Sequence, residues 1–137
     1  MKRDLFSVLS AIGFGWLLTI VGRFIGLMLS PVPKGANPNL PGYEKILVDA
    51  MPLHAWVPVV LSYLFAAIGG GYLIGRYAET ETRVFPCIFS AFILLLWISK
   101  VVRIPHPVWV NLIVILSFVP LAIISQRKAF SYRNVRN

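Results

Sequence analysis

Four long apolar runs, separated by short polar breaks, constrain this chain more than any other feature. At 1.5 Å of rise per residue, a helix made from any of these runs crosses much or all of a hydrocarbon core of roughly 30 Å. The sequence therefore predicts an all-α membrane protein, a single domain over residues 1–137 with a bundle of four transmembrane helices. The predicted spans cover residues 5–29, 55–75, 84–102 and 108–125.

Composition supports lipid, not water, as the main solvent of the chain. Of its 137 residues, 58% are hydrophobic and only 13% are charged, whereas soluble domains carry about 25% charged residues. The first run, over residues 5–29, is also too long for a cleavable signal peptide, whose apolar region covers about 7–15 residues. We therefore expect it to stay in the membrane.

Two polar segments lie outside the predicted spans. Residues 30–54 are rich in Pro, Gly and Asn, which predicts a loop on the outer side of the membrane. Within it, apolar residues recur at helical spacing over residues 43–51, with Glu44 and Asp49 available for the wet side, so we expect a short amphipathic helix at the membrane surface. Residues 126–137 predict a basic cytoplasmic tail.

The distribution of basic residues predicts that both termini are cytoplasmic. With the N-terminus inside, the inner segments hold eight Lys and Arg residues and the outer segments four, while one, Arg23, lies within a span. Because cytoplasmic loops carry the excess of positive charge, this bias favours the N-in, C-in orientation. The inner tail is expected to contact lipid or a partner through Arg127, Lys128, Arg133 and Arg136.

Arg23 is the most informative charged position, because no acid lies within any predicted span. One interpretation is that its long side chain reaches the outer headgroups. Another is that the loop helix folds back and places Glu44 or Asp49 beside a basic residue of the outer side. A third is that these basic residues hold an anionic lipid headgroup. The candidates for that group are Arg23, Lys45, Lys100 and Arg103.

Glycines predict close helix packing. The pairs Gly22 and Gly26, and Gly71 and Gly75, each have the spacing that lets helix backbones approach. Their depths differ, so they are not expected to face each other. At matching depth, we expect the first two spans to pack closely through Gly13, Gly15, Gly69, Gly70 and Gly71.

Residues for catalysis are scarce. The single cysteine, Cys87, rules out an internal disulfide. The predicted spans contain serines but no histidine or carboxylate, so we expect no enzyme activity. His54 and His106, both at outer ends of spans, are weak candidates for a metal or haem site. We predict no cofactor, and we expect lipid as the main ligand.

Two motifs resemble those of a loose group of small four-span bacterial membrane proteins. Residues 68–78 read IGGGYLIGRYA, and residues 104–109 read IPHPVW at the entry to the fourth span. The resemblance implies the four-span topology and a bacterial cytoplasmic membrane. It implies no particular activity.

These features favour a small accessory or scaffold subunit that packs among other membrane subunits. A small-solute transporter or channel acting as a homo-oligomer is the alternative, and a haem- or pigment-binding membrane protein is a further one. Although the net charge is +8, the basic residues flank apolar runs, so we expect no nucleic-acid partner.

Overall fold

The computed structural model describes residues 2–34, 37–104 and 106–136, and this part of the chain is helical with no strand. A single 3-10 turn, Leu53–Ala55, leads into the third helix. The five α-helices are α1 (Lys2–Met28), α2 (Tyr43–Asp49), α3 (Trp56–Tyr77), α4 (Val84–Arg103) and α5 (Val108–Arg136).

Four of these helices, α1, α3, α4 and α5, are long and apolar enough to cross a membrane. The predicted all-α fold with four candidate spans is therefore confirmed for the described residues. The remaining helix, α2, lies within the segment 43–51, where the sequence predicts a short amphipathic helix. Its location at a membrane surface, like the N-in, C-in orientation, stays a prediction.

Helix α5 extends further than the hydropathy pattern indicates. It runs unbroken through Pro120 and reaches Arg136, so the segment predicted as a tail is largely helical. The extension has a physical basis, because Ala129 is buried against Gly75 of α3 and Gln126 is fully buried. Loss of hydropathy marks the end of a membrane span, but not the end of a helix.

Helix α3 is the centre of the bundle and packs most extensively against α1 and α5. Gly22 of α1 lies directly against Ser62 of α3, whereas Gly71 of α3 lies against the backbone of Ala122 in α5. The two glycine pairs thus serve two different helix contacts. Small residues permit this approach because no side chain separates the backbones.

Helix α4 packs across α1 and α5 and contributes the main aromatic side chain of the core. Phe89 is fully buried, and its ring lies 5.5 Å from that of Phe118 in α5. The same ring occupies the space left by Gly15 and Gly70, so it is wedged between α1 and α3. The middle of the bundle is therefore filled by packed apolar side chains.

Candidate functional site at the α2 end of the bundle

The connection between α1 and α3 folds back so that α2 lies beside the end of α1. Arg23 of α1 donates a hydrogen bond from Nη2 to Oε2 of Glu44 in α2, with the two atoms 3.0 Å apart. Glu44 is thus the loop acid that lies beside Arg23. The pair is partly open to solvent, since the side chains are 33% and 69% exposed.

A small cavity lies behind this ion pair, between the ends of the helices. Its volume is about 20 Å³, enough for roughly one water molecule. Most of its wall is apolar. Its polar lining comes from side chains of three helices and of the α4–α5 connection: Thr19 and Arg23 on α1, Tyr63 on α3, Trp97 and Lys100 on α4, and His106. We call this the α2-end pocket.

His106 is held by aromatic rings in the connection between α4 and α5. Its ring makes edge-on contacts with Trp97 and Trp56, at centroid distances of 4.7 and 5.2 Å. Its Nδ1 lies 2.6 Å from the carbonyl oxygen of Ile104. Because a carbonyl can only accept, Nδ1 carries the hydrogen and Nε2 of the neutral ring is an acceptor. Burial lowers the pKa of His106, and the neighbouring cations Arg23 and Lys100 lower it further.

Two donors of the α2-end pocket lack a partner among the described residues. Trp97 is 1% exposed, and its indole Nε1 has no hydrogen-bond acceptor. Lys100 is half-buried and forms no ion pair with a carboxylate in the described ranges, although Arg23 and Glu44 lie close enough to act on its charge. The pocket therefore combines a buried donor with excess positive charge.

Other residues proposed for the outer side lie outside this pocket. Lys45, Asp49 and Arg103 are exposed. His54 lines a separate open hollow with Leu53, Val57 and Trp109, whereas His106 lines the α2-end pocket. The structure therefore does not bring the two histidines into one site. Within the described residues, no group of three or more His, Cys, Asp or Glu side chains has a geometry suited to a metal ion.

The glycines predicted to pack have varied surroundings. Gly22 and Gly26 contact α3, and Gly71 and Gly75 contact α5, so all four lie in internal contacts. Gly69 lies against Phe14 of α1. Gly13, in contrast, has nothing near the position of a Cβ and faces away from the bundle.

At the opposite end of the bundle, polar side chains fasten the connection between α3 and α4, a feature that the sequence analysis missed. Oδ1 of Asp4 accepts hydrogen bonds from the backbone N–H groups of Glu79 and Thr80, at 2.9 and 3.4 Å. Gln126 of α5 donates from Nε2 to the carbonyl oxygen of Thr82, at 3.1 Å. We call this the terminal end, because both chain termini approach it.

Arg133 belongs to the same fastening. It donates to the carbonyl oxygens of Arg76 and Ala78 and lies over the ring of Phe130, 4.4 Å from the ring centroid. It thus satisfies carbonyls at the end of α3, rather than extending toward lipid. Arg127 and Lys128 are exposed, and the side chain of Arg136 lies outside the described part. The sequence offered one indication of these contacts, because Gln126 is a polar residue that continues the spacing of the apolar residues in the helix.

Comparison with known proteins gives no relative from which a function can be transferred. No family model, no curated protein and no solved structure matches this chain.

Proposed function

We propose that this protein is a small accessory or scaffold subunit that packs beside other subunits in a bacterial cytoplasmic membrane. The observation that carries the proposal is the filled centre of the bundle. Phe89, Ile93 and Phe118 are essentially fully buried there. A single copy built in this way offers a solid surface for packing, not a path for a solute.

Three hydroxyl groups of the spans support the same function. Ser62 of α3 and Ser99 of α4 each donate to a carbonyl oxygen one turn earlier, at 2.7 and 2.8 Å. Thr19 of α1 does the same toward Trp16, at 2.8 Å. Groups bonded to their own helices do not line a polar route across a membrane, so they stabilise the bundle in lipid.

Helix α1 offers the surface that best suits a partner. Gly13 leaves the helix surface without a side chain there, three residues from Trp16, which is 52% exposed in the middle of the helix. Tryptophan is enriched at membrane interfaces, not at mid-span. A bare helix surface at a glycine near an exposed indole suits close approach of another transmembrane helix, because close packing is what drives helix association in lipid.

The proposed orientation is N-in, C-in. Both termini and the α3–α4 connection lie at the terminal end, which carries most of the basic residues. To test it, single cysteines are placed at Glu81 in that connection and at Asn39 in the long loop, in a Cys87→Ala background. A membrane-impermeant thiol reagent added to intact cells is expected to label position 39 and to leave position 81 unlabelled. The reverse pattern contradicts the orientation.

The subunit proposal is tested by solubilising the tagged full chain in mild detergent and measuring its native mass. We expect a stoichiometric assembly with at least one different membrane polypeptide. Gly13→Leu is expected to dissociate that assembly without unfolding the chain, because a side chain at this position meets nothing inside the bundle.

Ala91→Leu is the matched control, because Ala91 is a small exposed residue on a different helix, α4. It should leave the assembly intact. A mass corresponding to one copy contradicts the proposal, and a ring of identical copies favours the homo-oligomeric transporter or channel. Retention of the partner by Gly13→Leu excludes the α1 surface as the contact.

A further inference from the structure

The α2-end pocket contains donors that the fold itself does not use. Trp97 and Lys100 are three residues apart on α4, so their side chains lie on one face, about one turn from each other. Thr19 and Arg23 stand four residues apart on α1 and line the same pocket. Trp97, Lys100 and Arg23, which carry an indole N–H, an ammonium group and a guanidinium group, thus line one small volume from two helices.

We propose that the α2-end pocket binds the phosphate group of an anionic lipid, with Lys100 and Arg23 pairing with its charge and the Trp97 indole N–H donating to one of its oxygens. Phosphate is an acceptor with several oxygens, so it suits a site that presents donors from different directions. It also supplies a negative charge in direct contact with Lys100, whereas the carboxylate of Glu44 forms its ion pair with Arg23.

The dimensions of the site suit the headgroup of a lipid, which is attached to apolar acyl chains. The cavity, at about 20 Å³, holds one oxygen atom or one water, not a whole phosphate. Next to it, an open groove of about 300 Å³ runs between α1 and α2 and shares Arg23 and Leu27 with the cavity. A phosphate oxygen can therefore enter the cavity while the remainder of the headgroup lies in the groove.

The apolar lining favours a lipid over a fully soluble anion. Leu27, Val48, Met51 and Val59 form much of the cavity wall. Arg23 and Lys100 lie near the ends of α1 and α4, the depth at which a spanning helix meets headgroups. A lipid brings its charge to this depth without leaving the bilayer.

Glu44 acts as the internal competitor in this proposal. Its carboxylate occupies Arg23 at 3.0 Å and lies close enough to attract Lys100. An arriving phosphate has to share or displace that contact. Removing the charge of Glu44 should therefore strengthen binding, whereas removing the charge of Lys100 should weaken it.

The test uses the purified full chain in a neutral detergent, in a Trp16→Phe, Trp109→Phe background. The remaining tryptophans, Trp56 and Trp97, both line the pocket, so their fluorescence reports on it. The probes are phosphatidylglycerol, phosphatidylcholine and inorganic phosphate. We expect a saturable change with phosphatidylglycerol and little with phosphatidylcholine, whose choline group neutralises its own phosphate.

Three charge variants make the test specific. Lys100→Gln should weaken phosphatidylglycerol binding roughly tenfold, which corresponds to the loss of one charge-assisted contact. Glu44→Gln should strengthen it severalfold. Lys45→Gln is the matched control, because Lys45 is exposed on α2 at the same end of the bundle but outside the pocket, and it should change nothing.

The outcomes separate the sources of the anion. If inorganic phosphate alone gives the same saturable response, and Lys100→Gln weakens it, the phosphate site stands and its source is a free anion. Equal losses in Lys100→Gln and Lys45→Gln would show a general electrostatic effect and overturn the site. Equal responses to both lipids, or weaker binding by Glu44→Gln, would overturn it as well. Far-UV circular dichroism verifies that each variant is folded.

Discussion

The contact between α3 and α5 at Gly71 gives the sharpest test of the packing. A Cβ at this position would lie 2.9 Å from the carbonyl carbon of Ala122 and 3.0 Å from its Cα, and closer still to its carbonyl oxygen. All three atoms belong to the backbone, so no change of side-chain rotamer can relieve the overlap. Gly71→Ala therefore forces the two helices apart.

The size of the effect follows from two opposing terms. Overpacking a tight contact costs about 1–3 kcal/mol, and a backbone obstacle places Gly71→Ala near the upper limit. Replacing Gly by Ala within a helix returns up to about 1 kcal/mol. We thus expect Gly71→Ala to lower the free energy of unfolding by about 2 kcal/mol.

Gly13→Ala is the matched control, because it makes the same chemical change in a helix where nothing lies within 4 Å of the new Cβ. Only the helix-propensity term remains, so this variant should gain about 0.5–1 kcal/mol. The measurement is reversible unfolding in mixed micelles as the fraction of denaturing detergent increases, followed by circular dichroism. Equal effects of the two substitutions would refute the assignment of Gly71 to the α3–α5 contact.

Three further predictions concern the two ends of the bundle. Asp4→Ala should speed tryptic cleavage after Arg83, since the α3–α4 connection loses its acceptor, and an unchanged rate would contradict the fastening. Glu44→Gln should change the free energy of unfolding by less than about 1 kcal/mol, because its ion pair with Arg23 is partly exposed; a larger loss in chemical denaturation would show a stronger contact. Burial lowers the pKa of His106 below its ordinary value of 6.5. The contribution of His106 to stability should therefore be full above pH 6.5 and be lost as the pH decreases through the folded-state pKa. His106→Gln should remove this pH dependence from thermal unfolding curves.

The hydropathy pattern predicted which segments are candidate membrane spans, but not which neighbouring helix each helix face contacts. It located four spans and the segment containing α2, because long apolar runs have few alternatives to crossing a membrane. It ended the last span at residue 125, whereas α5 continues to Arg136 through contacts such as Ala129 against Gly75. Those contacts join residues that are far apart in sequence, so no local pattern reveals them.

The candidate site was only partly visible in the sequence. Arg23 drew attention as a charge within an apolar run, and Glu44 as an available acid. Trp97 did not, because a tryptophan near the end of a span is typical of a membrane interface and carries no sign of an unused donor. His106 was paired with His54 by similar depth, whereas the structure gives them separate surroundings. Depth along a helix can be read from sequence, but orientation around the helix axis depends on packing.

The buried polar atoms that lack partners among the described residues differ in chemical type. Those without partners are oxygens of Ser90, Asn111 and Gln126 and the indole nitrogen of Trp97. A serine hydroxyl can rotate toward a carbonyl. The unpaired atoms of Asn111 and Gln126 are acceptor oxygens, and their amide nitrogens donate to the carbonyl oxygens of His106 and Thr82. The indole N–H can only donate, and leaving it unpaired costs about 1–3 kcal/mol, which a phenylalanine at the same position would avoid. The proposed phosphate oxygen in the α2-end pocket would supply the acceptor that this donor lacks among the described residues.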